Sequence, residues 1–146
     1  MTPAVAKIAD PAALIGTWSF DRTIADHRDV RQYVVKGSAH LKPVDETICW
    51  HENGTLFRDG GEFPVMRTLL LRPDRSADAS APYWRVEFDD GRSFHDWQVG
   101  MPLLHLCAAD TYRGLVTATD ADSWRITWNV SGPTKDYAMV TEYRRL

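Results

Sequence analysis

Two runs of alternating side chains flank Asp90-Gly91 in the stretch from Tyr83 to Val99. An Asp-Gly pair between such runs is a strong short-range signal for a β-hairpin, because both residues tolerate the positive φ angles of a type I′ turn. A two-residue turn also sets the register of its strands, so facing residues can be counted outward from it. The stretch therefore predicts an antiparallel strand pair that the rest of the fold must accommodate.

One face of this predicted hairpin is mostly apolar. The count places on that face Trp84, Val86, Phe88, His95 and Trp97, with Val86 opposite His95. Phe94 falls on the other face. Because an apolar face turns toward the interior, we predict that the His95 imidazole lies on the inner wall of the sheet. Either it belongs to a binding or catalytic site, or it is a core histidine whose ring nitrogens are satisfied by neighbours.

Short alternating runs recur along the chain, which we treat as one domain of 146 residues. Trp18, Phe20 and Arg22 share one face of the first run, which has the period of a strand. A loose arm is expected at residues 1–9. Asp10-Pro11 then predicts a short helical turn, because it supplies an N-cap and a proline at the first helical position.

Asn53-Gly54 is a second predicted type I′ turn. Counting outward from it pairs Trp50 with Phe57 on an inner face and leaves His51 on the outer side. Residues 73–82 show no periodicity and predict a polar loop.

The segment HLCAADTYRG holds His105, Cys107, Asp110 and Tyr112, whose side chains are of the kinds used in catalysis. We expect residues 103–119 to form one long strand or two short ones. In a regular strand His105 and Cys107 share one face, and Asp110 and Tyr112 share the other. All four could face the interior only if a β-bulge falls at the alanine pair between them.

About ten short strands separated by tight turns, with almost no helix, predict an all-β antiparallel fold. Consecutive hairpins favour a single up-and-down β-barrel of about eight to ten strands over a Greek-key sandwich. A barrel of this size is either filled by its own side chains or holds one small ligand.

The net charge is −3, with acidic and basic residues interspersed, which argues against nucleic acid or an anionic membrane as a partner. No apolar run approaches the length of a membrane span, and the N-terminus lacks the pattern of a signal peptide. We therefore expect a cytoplasmic protein, a monomer or homodimer, in which Cys49 and Cys107 are reduced thiols.

Gly16-Thr17-Trp18, at the head of the first predicted strand, resembles the Gly-x-Trp signature of lipocalin and calycin barrels. The resemblance implies that this tryptophan closes the barrel floor and that Arg144 or Arg145 packs across it. More of the chain resembles a family of small, mostly bacterial calycin-like domains of unknown function. The matching pieces are LIGTWSFDRTI, ENGTL, FDDGRSFHDW, HLCAADTYRG and WNVSGPTKDYAMVTEYRR. This resemblance implies a lipocalin-like barrel and no established activity.

We predict that the barrel binds a small, partly apolar organic molecule, without a bound cofactor. Its inner faces supply mainly aromatic side chains and a few polar groups that would orient a ligand. The predicted ligand-binding residues are Trp18, Phe20, Arg22, Trp84, Val86, His95, Trp97, His105, Tyr112 and Trp128.

Acid–base catalysis is the alternative, of the isomerase, cyclase or lyase type on a small organic substrate. Its candidate catalytic residues are His95, His105, Asp110 and Tyr112, with Arg22 or Lys135 holding an anionic or carbonyl group. For Lys135 a rim ion pair is the competing interpretation. A third hypothesis is haem or a metal ion held by an interior histidine, although the spacing of histidines and cysteines matches no zinc motif and predicts no metal site.

Overall fold

The computed structural model describes residues 2–74 and 83–146, which form one antiparallel sheet preceded by short helical segments. Most of the polar loop predicted at residues 73–82 lies outside the described residues. The helical segments are α1 (Pro3–Ile8) and a 3₁₀ helix (Pro11–Leu14), which confirms the predicted helical turn. The ten strands are β1 (Gly16–Asp26), β2 (Arg31–Val44), β3 (Thr47–Arg58), β4 (Gly61–Asp74), β5 (Tyr83–Phe88), β6 (Ser93–Asp96), β7 (Leu103–Cys107), β8 (Asp110–Asp120), β9 (Ser123–Ser131) and β10 (Asp136–Arg145).

The sheet curls into a nearly closed barrel. Consecutive strands pair with each other, except β6 with β7, and β1 also pairs with β10, so the order among the described residues is β6-β5-β4-β3-β2-β1-β10-β9-β8-β7. The end strands β6 and β7 form no ladder with each other among the described residues, which leaves a seam between them. Beyond β6 the chain reaches β8 through a bridge between Val99 and Val116. The predicted antiparallel up-and-down barrel is confirmed.

Alternation of buried and exposed side chains is what makes these segments strands. In β9, Trp124, Ile126, Trp128 and Val130 are buried, whereas Arg125 and Asn129, which lie between members of this set, are exposed. This period of two places every second side chain inside the barrel. The inner side chains of β9 therefore run from one end of the barrel to the other and contribute to both halves of its interior.

The loose arm expected at residues 1–9 is wrong, because most of it forms α1. The Thr2 hydroxyl caps this helix by accepting a hydrogen bond from the Val5 N–H at 3.2 Å. Val5 and Ile8 lie on one face and are both buried. The Ile8 carbonyl also accepts a hydrogen bond from Trp97 Nε1 at 2.9 Å. Packing thus stabilises a helix that is too short to persist alone in water.

The type I′ turn predicted at Asn53-Gly54 is also wrong. β3 continues through these residues with Gly54 facing Gly37 of β2, and the chain turns later, at Asp59-Gly60. Phe57, predicted on the inner face, is 37% exposed. The strands approach so closely here that a Cβ on Gly37 would lie 2.0 Å from the Asn53 carbonyl oxygen. Glycine is needed here because the β2 and β3 backbones approach each other closely. The hydrogen bonds of β3 with β2 and β4 outweigh the local preference of Asn53-Gly54 for a turn.

The hairpin around Asp90-Gly91 forms, but through a different turn from the predicted type I′. The Gly91 N–H donates to the Phe88 carbonyl at 3.0 Å, and among the residues of this turn only Gly91 has a positive φ, of 90°. This geometry is that of a longer hairpin loop in which the glycine alone adopts the left-handed conformation. The additional loop residue shifts the register of the strand that follows.

The register of the hairpin is right at its base and shifted near its turn. Val86 faces His95 as predicted, but Glu87 faces Ser93, so the bulge between these two pairs leaves Phe94 without a facing residue. A bulge re-aims the side chains beside it. The Phe94 ring therefore lies inside the barrel, contrary to the predicted outer position, and His95 is buried as predicted.

Trp18 closes one end of the barrel, as the resemblance to calycin barrels implies. It is fully buried, and its Nε1 donates to the Leu14 carbonyl at 2.8 Å. The Arg145 guanidinium lies 4.2 Å from the centroid of the Trp18 ring and donates to the Ala13 carbonyl at 2.9 Å. Of the two candidate arginines of the last strand, Arg145 thus makes the cation–π contact that seals the floor.

The half of the barrel above this floor is packed solid with aromatic rings. Trp124 stacks on Tyr143 with ring centroids 4.0 Å apart. Trp50 meets Trp124 and Trp97 edge-on at 5.6 and 6.4 Å. Edge-to-face and stacked arrangements of this kind are the favoured geometries for buried aromatic pairs. Tryptophan and tyrosine rings therefore occupy the centre of this half of the interior.

We expect Gly37→Ala to destabilise the protein strongly, because the added methyl group would collide with the β3 backbone. Overpacking of a core costs about 1–3 kcal/mol, and a collision with backbone should place this variant at or above the upper end. Urea unfolding would measure the loss. In the control Gly61→Ala, the close contact of the new methyl group is with the Phe63 side chain, at 3.0 Å, and the nearest backbone atom, the Arg58 carbonyl oxygen, lies at an ordinary contact distance of 3.5 Å. Equal stability of the two variants would contradict the close crossing of β2 and β3.

Candidate functional site

The other half of the barrel holds a cavity of about 450 Å³ beside the seam. Its lining is mainly aromatic, with basic and polar groups at its border. The lining residues are Arg67, Phe88, Arg92, Ser93, Phe94, His105, Leu106, Cys107, Tyr112, Trp128, Tyr137 and Met139. The barrel is therefore solid at the floor and hollow at the opposite end.

A stack of three rings forms one wall of the cavity. Phe94 lies between Phe88, with centroids 4.7 Å apart and planes 12° apart, and Trp128, at 5.1 Å and 17°. Phe94 can occupy this position because the bulge in β6 turns it inward. The stack joins β5, β6 and β9, and it presents ring surfaces and edges to the hollow.

His105 and Tyr112 form the facing part of the lining. The bulge considered at Ala108-Ala109 is instead a hairpin turn, in which Ala108 has φ of 53°. The turn makes β7 and β8 antiparallel neighbours with His105 opposite Tyr112, and their ring centroids are 5.4 Å apart. Residues directly opposite each other lie on the same face of a sheet. The turn therefore places His105 and Tyr112 on one face of the sheet, which a single strand could do only with a bulge.

Cys107 and Asp110 share that face but lie next to the turn, at the mouth of the cavity. The Asp110 carboxylate is 3.0 Å from Lys135 Nζ, and the same ammonium group donates to the Tyr112 hydroxyl at 3.3 Å. The rim ion pair considered for Lys135 is therefore formed. Asp110, the predicted partner of a catalytic histidine, bonds to a lysine instead.

His95 lies behind the aromatic wall and does not line the cavity. Its ring contacts Phe94 and Trp128 at centroid distances of 4.7 and 5.2 Å. Nδ1 lies 2.7 Å from the Asp96 carbonyl oxygen. Because a carbonyl only accepts, the neutral ring must carry its proton on Nδ1. The position matches the core histidine satisfied by a neighbour, one of the two interpretations drawn from the sequence.

His95 is more buried than His105, but the pKa of both is lowered, which favours the neutral ring. Burial lowers the pKa of His95 from 6.5 to about 4, and the positive charge of Arg67 acts in the same direction. Partial burial also lowers the pKa of His105, with a smaller contribution from the charge of Arg92. At neutral pH both rings are therefore uncharged, and His105 is the one that can offer a nitrogen to a molecule in the cavity.

A buried ionic cluster separates the solid half from the hollow half. Arg22 donates to Glu52 Oε1 at 2.9 Å and to Thr141 Oγ1 at 2.8 Å. Arg67 Nη2 reaches the same Glu52 oxygen at 3.0 Å. Burial alone would raise the pKa of Glu52, but the charges of Arg67 and Arg22 outweigh it and hold the pKa below its usual range. The expectation that Arg22 anchors a ligand does not fit these contacts, since its guanidinium is occupied inside the protein.

Several predicted ligand-binding residues pack the core instead of lining the cavity. Only Trp128, His105 and Tyr112 of the ten border the hollow. Trp18, Phe20, Val86 and Trp97 are buried core residues and Trp84 packs against them. Alternation along the strands predicts which side chains point inward but not which half of the barrel they reach. The sequence pattern therefore could not separate residues that fill the core from residues that line the cavity.

Sequence reasoning missed Arg67, Phe94, Tyr137 and Met139 as lining residues. Arg67 precedes Leu69 on the inner face of β4, so the alternation that marked Arg22 could have marked it too. Tyr137 and Met139 could have been found in the same way on β10. No comparable signal existed for Phe94, because its position depends on the bulge.

Two observations concern metal ligands and membrane-spanning helices. Within residues 2–74 and 83–146, no group of three His, Cys, Asp or Glu side chains is arranged to hold a metal ion. The helices found in these ranges are too short or too polar to cross a membrane.

We expect the burial of neutral His95 to make stability pH-dependent. As the pH falls, His95 in the unfolded chain, with a pKa near 6.5, takes up a proton at a higher pH than His95 in the folded chain, where its pKa is about 4. Stability is therefore complete above pH 6.5 and falls as the pH drops toward 4, with a loss of about 2 kcal/mol between pH 7.5 and 5. Urea unfolding at these two pH values measures it. His95→Gln, which cannot titrate, should remove this part of the loss, and an unchanged loss in that variant would rule out His95 as its source.

Two solved structures are similar to this chain over nearly their whole lengths. The S-type phycobiliprotein lyase CPES from Guillardia theta has a TM-score of 0.61 at 11% identity, covering 98% of this chain and 93% of the lyase. The protein EF1p2_mFAP2b, solved bound to DFHBI, has a TM-score of 0.52 at 12% identity, covering 96% and 99%. At these identities the likeness supports the fold alone.

A search of curated proteins found no match. The profile described as "Family of unknown function (DUF6314)" matches residues 14–145, which is most of the chain. This match confirms the predicted resemblance to a family of unknown function, and the two solved structures support the barrel fold. The chain therefore belongs to the DUF6314 family.

Proposed function

We propose that this protein binds a small, partly apolar aromatic molecule in the cavity beside the β6–β7 seam. The observation that carries the proposal is the stack of Phe88, Phe94 and Trp128 along one wall of a hollow of about 450 Å³. A barrel that only needed a core would be filled at this end as it is at the floor. The hollow occurs where the lining offers ring faces, ring edges and a few polar groups.

Size and lining both suit a small organic ligand. Sites for such ligands have volumes of about 300–1,000 Å³ and combine apolar walls with a few polar groups that orient the molecule. Here the polar groups include the His105 imidazole, the Tyr112 hydroxyl and the Arg67 guanidinium. Aromatic walls favour a ligand with a ring, because stacked and edge-to-face pairs add to the energy of simple burial.

The seam supplies the route into the cavity. β6 and β7 are not joined by a ladder among the described residues, yet residues from both strands line the hollow. Across the seam the Phe94 and His105 rings are 5.1 Å apart. Side-chain contacts separate more readily than a continuous ladder of backbone hydrogen bonds, so the seam is the place where the barrel would open to a ligand.

The similar structures give this proposal limited support. One of them is a phycobiliprotein lyase and another was solved with DFHBI bound. The second structure indicates that a barrel of this shape can hold a small molecule.

Acid–base catalysis remains a second candidate, favoured by His105 facing Tyr112 inside the cavity. The other members of the set considered from sequence are engaged elsewhere, since Asp110 bonds to Lys135 and His95 to a backbone carbonyl. An enzyme of this kind would alter its bound ligand. His105→Gln should then preserve binding and abolish the conversion, which mass spectrometry of recovered ligand would reveal.

For the cellular setting we propose a cytoplasmic protein, a monomer or homodimer, that does not act on nucleic acid or membranes. The modest negative charge and the mixed distribution of acidic and basic residues support this proposal. Cell fractionation and light scattering would test it.

We expect the neutral fluorescent probe N-phenyl-1-naphthylamine to bind the wild-type protein with one site and enhanced emission. Phe94→Leu keeps an apolar side chain but removes the central ring of the stack, and should weaken binding by about 2- to 10-fold. The matched control Phe63→Leu changes a phenylalanine that is 45% exposed and does not line the cavity, and should leave binding unchanged.

Fluorescence titration of the three proteins measures these affinities, with urea unfolding as a check that both variants fold. No binding by the wild type, or equal losses in the two variants, would contradict a ligand site at the aromatic stack.

A further inference from the structure

The ionic cluster beneath the cavity is not electrically balanced. Arg22 and Arg67 both pair with Oε1 of Glu52, at 2.9 and 3.0 Å, and Glu52 is the only carboxylate within ion-pair distance of either among the described residues. The other oxygen of this carboxylate accepts hydrogen bonds from Trp50 Nε1 and the Tyr143 hydroxyl, which are neutral donors. Two guanidinium groups thus share one carboxylate, and one positive charge is left over.

The surplus charge is accessible at Arg67. Arg22 is buried, with side-chain exposure of 10%, whereas the Arg67 side chain is 32% exposed and lines the cavity. Nη2 of Arg67 is used by Glu52, while its buried Nε finds no hydrogen-bond partner in residues 2–74 and 83–146. A guanidinium carries five N–H donors, so Arg67 retains donors for a further acceptor.

The other cations at the cavity are already neutralised. Arg92 lies 2.7 Å from the Asp90 carboxylate, and Lys135, at the mouth, lies 3.0 Å from that of Asp110. Arg67 therefore differs from both in sharing its carboxylate with a second cation. Burial is the main cause of the lowered pKa of His95, and the charge of Arg67 acts in the same direction.

A partly desolvated charge without a partner is unfavourable, and an anion that enters the cavity would relieve it. We infer that the ligand of this cavity is an aromatic carboxylate, whose ring packs on the Phe94 stack and whose carboxylate binds Arg67. This inference deepens the proposed binding function and rests on it. A single negative charge matches the single surplus positive charge, whereas a phosphate dianion would replace one imbalance by another. The planar fork of a guanidinium also suits a carboxylate.

The test compares two isosteric ligands that differ in charge. Bound N-phenyl-1-naphthylamine is displaced by 2-naphthoate or by neutral 2-naphthamide, and the ratio of their inhibition constants gives the preference for the anion. We expect the wild type to prefer 2-naphthoate by about 10- to 100-fold, as charge-assisted hydrogen bonds in a partly buried site allow.

Three variants locate the source of that preference. Arg67→Gln should reduce this preference to within about threefold, and Arg67→Lys, which keeps the charge, should retain much of it. The preference is a ratio of two inhibition constants measured on the same variant, so a general change in probe affinity does not alter it. Glu52 keeps Arg22 as a partner in both variants, so neither creates an unpaired buried carboxylate. Arg113→Gln removes the same charge from an exposed position on β8 and should behave as the wild type.

The outcomes separate this inference from the function on which it rests. If the probe binds but the wild type does not distinguish the two ligands, the inference fails and the binding function stands. If the preference survives in Arg67→Gln, or is lost equally in Arg113→Gln, Arg67 is not the anion site and the inference is overturned. If the probe does not bind at all, the proposed function fails and the inference fails with it.

Discussion

The buried carboxylate of Glu52 is the interaction on which the arrangement of this barrel depends. It accepts hydrogen bonds from Arg22 on β1, Trp50 on β3 and Tyr143 on β10, and it pairs with Arg67 on β4. A buried charge is tolerated only when it is paired and its lone pairs are satisfied, and this one is saturated. The cluster therefore joins four strands across the interior and places a polar layer where a barrel core would otherwise be continuous.

That polar layer divides two kinds of aromatic packing. On the floor side, Trp18, Trp50 and Trp124 pack edge to face, and Arg145 covers the end of the barrel. On the other side, Phe94 and Trp128 stack along one wall and leave space in front of them. The same residue types thus fill the core in one half and line a cavity in the other. Arg67, at the border, belongs to both.

The alternation of side chains accounts for most of what could be predicted. It predicted the antiparallel barrel, the inward direction of His95, and the burial of Trp128 and Val86. It failed where non-local pairing competed with a local signal, as at Asn53-Gly54, which β2 and β4 hold in a continuous strand. The inward position of Phe94 was also beyond reach, because a one-residue change in loop length reverses the side chains that follow.

By itself, the sequence determined the class of fold, because a period of two and closely spaced turn residues leave few alternatives to a meander of short strands. It left open whether residues 103–119 form one long strand or two short ones, so the structure decided that His105 faces Tyr112. The tertiary structure alone decided that Asp110 meets Lys135, that Glu52 is shared by two arginines, and that one end of the barrel stays hollow. These contacts join residues far apart in the chain, and their geometry depends on how the closed sheet sets the height of each side chain along the barrel axis.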